Sequence, residues 1–276
     1  MPLHAASLKK ALLLFFVAIY TMLTGGPFLW VAAMSLRTTP QILRNPYGLP
    51  RHPHWENFVG AWTQSSYSTY FWNSAIVVVT AVLVVMVIGA MAANGLARYR
   101  FRGNNAVRLT ILAGLLAPPQ MLILSIFQIM IGSGLYNSLT GVIIVYVAIQ
   151  LPLTVYLLEA FFARIPQDLF DAARMDGYGN FTIFWRITLP IGLPAVFATA
   201  TLNFVMLWNE FLYAIVLLTN NSKRTLPLGI LHFMGSRELN LGMIATGLMI
   251  AILPIIILYG CCSETMIKGM TAGAVK

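Results

Sequence analysis

Six stretches of this chain are apolar and nearly free of Asp, Glu, Lys and Arg over lengths that match a membrane's hydrocarbon core. A crossing helix needs about 20 residues, and the stretches near 11–36, 72–97, 109–131, 138–158, 191–213 and 241–263 reach that length, the fifth carrying one acid, Glu210. Only helices and closed barrels satisfy their backbone groups in lipid. Barrel strands alternate apolar and polar residues, whereas these runs are continuously apolar, so the spans are helical. The uncharged run from Leu109 to Leu158 is too long for one crossing, and Gly132-Ser133-Gly134 followed by Asn137 supplies a reversal. Composition agrees: 59% of residues are hydrophobic and 9% charged, against about 25% charged in soluble domains. The expected fold is an all-α integral membrane protein, a single transmembrane domain over residues 1–276.

Counting Lys and Arg on alternate sides of the six spans puts eleven on one side, including Arg98, Arg100, Arg102, Arg108, Arg164, Arg174 and Arg186, and six on the other. Basic residues are retained in the cytoplasm. Both termini and the segment around Asp171 are therefore expected inside, with loops 37–71 and 214–240 outside. The formal charge of +9 flanks apolar spans instead of clustering on one face, so it reflects topology and lipid headgroups and not a nucleic-acid partner.

Lys9-Lys10 before an apolar run is also compatible with a secretory leader. The run is 26 residues, beyond the roughly 7–15 of such a leader, and we read an uncleaved first helix. Cys261 and Cys262 read as small packing residues, and the four histidines show no metal-ligand spacing. No Gly is followed by Lys, which excludes the phosphate-cradling P-loop, and neither G-x-S-x-G nor H-E-x-x-H occurs. The expectation is a chain that is not an enzyme and binds no cofactor; energy for uphill transport would come from an ion gradient or a separate subunit.

One polar segment stands apart, DAARMDGYGNFTIFWRITLP at 171–190. Pro166 fits a helix start, Asp168 suits the positive end of the dipole, and Gly177 suits a left-handed stop. A helix over 166–176 is expected, then a second short helix capped by Asn180 and limited by Pro190. Ala172 and Ala173 would permit close approach by a partner. The alternative is an ordinary amphipathic loop helix.

DAARMDG followed by FWRITLP resembles the coupling-loop signature, the EAA loop, of ATP-binding-cassette importer permeases, with Asp171 where most members have Glu. Asp171, Ala172, Ala173, Asp176, Gly177, Ile187, Leu189 and Pro190 fall on that motif. The likeness extends over nearly the whole chain through NSAIVVV (73–79), AANGLARYRFRG (92–103), FFARIPQDL (161–169), WNEFLYA (208–214), TLPLGI (225–230) and KGMTAGAVK (268–276). It is greatest to carbohydrate-type permeases of the maltose-transporter kind. The resemblance implies a coupling loop at 159–190 that docks on a cytosolic ATPase through Asp171, Ala172, Ala173, Asp176, Gly177 and Pro190. It also implies a second permease subunit, two ATPase copies holding ATP and Mg, an extracytoplasmic solute-binding protein and a bacterial inner-membrane location. The shorter Asp171 carboxylate implies a longer or water-bridged contact to the ATPase. The flexible tail Thr271, Ala272, Gly273, Ala274, Val275 and Lys276 is expected to insert between the ATPase subunits.

Within the spans the polar residues are Asn94, Gln120, Gln128, Gln150, Asn203, Asn209 and Glu210. An acid at mid-membrane is costly unless it faces protein or water, so Asn209 and Glu210 are the candidates for a solute pathway; a position near the interface is the simpler alternative for Glu210. Trp208, Phe204, Tyr146 and Tyr156 offer faces for a sugar ring, but aromatics in spans are more often packing groups or interface anchors. Pro118-Pro119 is expected to kink the third helix. The reading is an importer subunit for a sugar, oligosaccharide or polyol, with a glycerol-phosphate ester or other polar solute as the alternative. An ion-coupled secondary transporter would need more intramembrane charge than Glu210.

Overall fold

The computed structural model describes residues 2–64, 66–234 and 240–274. In chain order the helices are α1 (Pro2–Ser35), α2 (Thr39–Arg44), α3 (Glu56–Gln64), α4 (Tyr67–Arg98), α5 (Asn104–Leu116), α6 (Pro119–Gly132), α7 (Leu139–Phe162), α8 (Gln167–Met175), α9 (Asn180–Ile183), α10 (Leu189–Ile191), α11 (Leu193–Trp208), α12 (Leu212–Leu217), α13 (Leu226–Met234) and α14 (Leu241–Ala274), with a π-turn at Phe184–Thr188 joining α9 to α10. Among the described residues four helices are long and apolar enough to cross a membrane, or six if each of two bent pairs is one span.

Those bent pairs depart from the sequence reading. A single kinked helix was expected over 109–131, but α5 and α6 meet at 104°. Consecutive prolines explain it: a residue before proline is pushed out of the helical region, and both Ala117 (ψ 115°) and Pro118 (ψ 131°) are extended. The helix restarts with Pro119 in its first turn, where a missing N–H costs nothing. The fifth stretch, expected continuous over 191–213, ends at Trp208 and resumes as α12 at Leu212. At its other end α11 turns 78° from the helical run Asn180–Ile191. Gly192 permits that corner, because a Cβ there would lie 2.4 Å from the Phe162 ring.

The chain divides into two compact units, Met1–Ser68 with Gly229–Leu253, and Thr69–Leu228 with Pro254–Lys276. In the first, the Arg37 guanidinium fills the loop after α1, donating to the carbonyls of Gly48 at 2.8 Å and Asn45 at 2.7 Å. Asn57 donates to the Ser35 carbonyl at 2.8 Å and the Tyr67 hydroxyl to the Gly247 carbonyl at 2.8 Å.

The second unit is organised around α4, α7 and α11. Its apolar core runs from Val85, Ala90 and Ala93 on α4 to Val155, Leu158 and Phe162 on α7 and Ala195 on α11. Small residues bring membrane helices close, and Gly89 does so between α4 and α7: a Cβ there would lie 2.6 Å from Thr154 Cγ2. The reversal expected at 132–137 is present, with Gly134 at φ 70° and Asn137 at φ 53°. The Asn137 side-chain oxygen accepts from the backbone N–H of Thr219 at 3.2 Å and of Asn220 at 3.1 Å. This ties the reversal to the loop after α12.

Gly89→Ala is expected to lower stability by about 1–3 kcal/mol through overpacking. Thr154→Ser removes the clashing methyl, so Gly89→Ala with Thr154→Ser should recover much of the loss. The thermal midpoint of the purified protein in detergent checks both.

Candidate coupling segment and intramembrane polar site

The polar segment folds much as its punctuation suggests. α8 spans Gln167–Met175 with Pro166 at the cap position, Asp168 in its first turn and Arg174 in its last. Its strongly amphipathic pattern turns Phe170 and Ala173 into the core, at 3% and 5% exposure. Arg98, the last residue of α4, holds it there. Its guanidinium lies 4.0 Å over the Phe170 ring and donates to the carbonyls of Phe162 and, at 2.8 Å, Ile165. The end of α4, the end of α7 and the start of α8 are thus joined through one side chain.

Gly177 stands at φ +81°, which favours glycine. The Gly177 N–H reaches the Arg174 carbonyl at 3.0 Å and the Tyr178 N–H the Ala173 carbonyl at 3.0 Å. These two bonds form a Schellman stop that satisfies the last carbonyls of α8. Three expectations need correction. Ala173 is buried, so only Ala172 of the pair is open to a partner. The cap of α9 is Gly179, and Asn180 is its first helical residue. Pro190 does not end the second helix, which runs through the π-turn to Ile191. The wider turn supplies what the proline requires, because Pro190 has no N–H and a ring that crowds the preceding turn; the Leu189 N–H bonds back to Phe184 in its place.

The outer surface of this segment is apolar as well as charged. Met175 is 89% and Phe181 66% exposed, with Leu169, Tyr178 and Trp185 beside them in sequence also open. Asp171 accepts from Arg174 and Gln167, both at 3.1 Å within α8. Asp176 is exposed. Exposed apolar groups rimmed by charge mark a contact surface for protein or membrane.

The Arg108–Glu159 ion pair, with nitrogen and oxygen 2.5 Å apart and Glu159 largely buried, joins α5 to α7. It explains why α7 continues past the expected end at 158 to Phe162. The signal was present as a lone acid at the edge of a span with Arg in a neighbouring flank.

Inside the spans, Glu210 lies in the break between α11 and α12 and closes it. Its carboxylate accepts from the backbone N–H of Tyr213 at 2.8 Å and of Ala214 at 3.2 Å, and from the Tyr146 hydroxyl at 2.7 Å. Asn209 is exposed and its amide donates to the Val205 carbonyl at 2.8 Å. Asn203 is fully buried and donates to Thr154 Oγ1 at 2.8 Å, and Asn94 and Gln150 are buried too. Gln120 and Gln128, two turns apart on α6, are exposed. Tyr146 and Trp208 are buried and Phe204 stacks on Trp208 at 5.4 Å, so these three are packing groups, whereas Tyr156 is exposed. The tail was expected to be flexible from Thr271; its backbone continues α14 through Ala274, and Val275 and Lys276 lie outside the described residues.

Residues 85–262 match the family of the binding-protein-dependent transport system inner membrane component. The chain belongs to this family of transport permeases. It is 36% identical over 266 residues, 96% of this chain and 86% of the relative, to a diacetylchitobiose uptake system permease protein of Streptomyces coelicolor. It is 33% identical to a trehalose transport system permease protein of Mycobacterium tuberculosis, covering 91% of this chain and 92% of that one. A membrane subunit of a bacterial ABC transporter that imports alginate shares the fold, with TM-score 0.81 at 19% identity and coverage of 94% and 97%. An all-helical, membrane-embedded permease fold is thus common to sequence and structure.

In this permease, Arg98→Ala should leave two carbonyls without their donor and uncover Phe170. Trypsin is expected to cut at Arg164 and Arg174 several-fold faster in the variant, with membrane insertion unchanged and partial protection returning in Arg98→Lys. Cleavage rates in detergent check this.

Proposed function

We propose that this chain is the permease subunit of an ATP-driven importer, forming half of the pathway for a sugar, oligosaccharide or polyol. The observation that carries the reading is the α8–α9 pair: an exposed apolar and charged surface, stopped at Gly177 and fixed by Arg98 to the ends of two crossing helices. A lever needs a contact surface at one end and a stiff joint at the other, and this segment has both. Docking of a cytosolic ATPase on Asp171, Ala172, Asp176 and the neighbouring apolar groups would let ATP-driven closure move α4 and α7 together. Such rigid-body alternation between packed states is a recurring form of switching.

ATP and Mg belong on that ATPase. A second permease completes the pathway, and an extracytoplasmic binding protein delivers the solute. The basic-residue count supports a cytoplasmic location for both termini. The sugar reading draws on relatives named for diacetylchitobiose, trehalose and arabinooligosaccharides. Along the pathway, Asn209 and the glutamines of α6 are assigned to the cavity on their exposure, since exposed amides are disfavoured against lipid. Glu210 acts beside them by holding the helix break in shape. The tail from Thr271 contacts the ATPase.

Gly177→Val puts a β-branched residue at positive φ, at a cost on the order of 1–3 kcal/mol. In the assembled complex it should insert normally yet lose most co-purifying ATPase and ATP-dependent uptake, whereas Asp171→Ala should lose less, since an exposed contact is worth about 1 kcal/mol or below. Full association and uptake by Gly177→Val would end the importer reading. Uptake of labelled chitobiose, trehalose and glycerol 3-phosphate into vesicles bearing the complex and its binding protein separates sugar from phosphate ester.

Cysteine at Asn209 or Gln128 should react with a water-soluble thiol reagent at a rate that changes when ATP is trapped. Inert cysteines in every state would remove both residues from the pathway.

A further inference from the structure

The end of α4 opens onto a basin of about 580 Å³ that no part of the proposed function uses; Arg98, Arg100, Asn104, Arg108 and Gln167 are among its lining residues. A neighbouring basin of about 880 Å³ shares Arg98 and Arg100 and adds Arg164 and Arg174. Neither is lined by an Asp or Glu. Arg108 and Arg174 each have a carboxylate partner in Glu159 and Asp171, but Arg98 donates to neutral carbonyls, so its charge is not cancelled. The surface therefore carries an excess of positive charge that the fold does not neutralise.

Its depth selects the ligand. Arg98 and Phe162 are the last residues of two crossing helices and are hydrogen-bonded to each other, which sets the basin where both helices leave the hydrocarbon. Tyr99 and Phe101 line it, and Phe101 is 47% exposed; aromatic rings favour that interfacial level. Just along α5, Val107 and Leu109 are 44% and 65% exposed, an apolar surface next to the charged one. A ligand matching both has an anionic head and acyl chains. We propose that this basin binds the headgroup of an anionic phospholipid, its phosphate set against Arg100 and Arg98 and its chains along α5. Basic pockets at the ends of membrane helices hold such headgroups by the same chemistry. Because Gln167 begins α8 and Arg98 fixes it, an occupied basin also braces the coupling segment. The proposal rests on placement of these helices in a bilayer, not on the solute carried.

Arg100 is the residue to test, being exposed at the rim of the basin. The complex with its partner permease and ATPase is purified in detergent and titrated with phosphatidylglycerol or phosphatidylcholine, with bound lipid counted by native mass spectrometry. Phosphatidylglycerol should be retained in preference to phosphatidylcholine, Arg100→Gln should weaken that retention about fivefold, and Arg100→Glu should weaken it further, with an unchanged thermal midpoint in lipid-free detergent. Equal retention of the two lipids, or no effect of either variant, overturns the proposal. Glycerol 3-phosphate displacing the lipid at equal concentration would make this a site for soluble phosphate esters instead. Loss of ATPase from Arg100→Gln without any anionic lipid would make it an ATPase contact. Either result overturns the lipid assignment while leaving the uptake experiments untouched.

Discussion

Backbone hydrogen bonding inside an apolar surrounding governs this structure. Where no water reaches, each N–H and C=O left open at a helix break needs a protein partner. A chain that only crossed the bilayer would avoid breaks. This one has several, and at four of them a specific group takes up the open positions: Glu210 across the gap before α12, Asn137 against the loop after α12, the Schellman bonds at Gly177, and Arg98 on the carbonyls after α7. The residues that stand out chemically are largely the ones that make irregular backbone tolerable.

That bears on how Glu210 is understood. A carboxylate in an apolar helix invites a role as a solute ligand or a proton carrier. With two backbone amides and a buried tyrosine hydroxyl already on it, the side chain is committed to shaping the corner. In the proposed pathway its contribution would be made through the position of Asn209 and α12.

Much of the fold was legible because apolar length and turn chemistry are local properties. The α4 and α7 spans, the reversal at Gly134 and Asn137, and the stop at Gly177 follow from neighbouring residues alone. The place of the bend at Pro118-Pro119 was legible but not its 104°, and the break at 209–211 was not, since an apolar stretch reports that a chain can enter lipid and says nothing of whether it runs straight. The inward turn of Ala173 was written in the sequence too, since Phe170 three residues earlier puts both on the one apolar face of an amphipathic helix, but the small Ala172-Ala173 pair reads more readily as a contact. Arg98 was hardest to see. In sequence it is one of several basic residues flanking a span, and its hydrogen-bond partners lie 64 and 67 residues away.

The π-turn at Phe184–Thr188 has a mechanical consequence. Each of its bonds spans one residue more than an α-turn's, and such bulges in a helical run are frequent at functional sites. On one side of it α8 is clamped by a guanidinium and a buried ring; on the other, α11 begins only after the corner at Gly192. A displacement imposed on the exposed surface would reach α4 and α7 directly through Arg98, and α11 only by way of the π-turn and that corner.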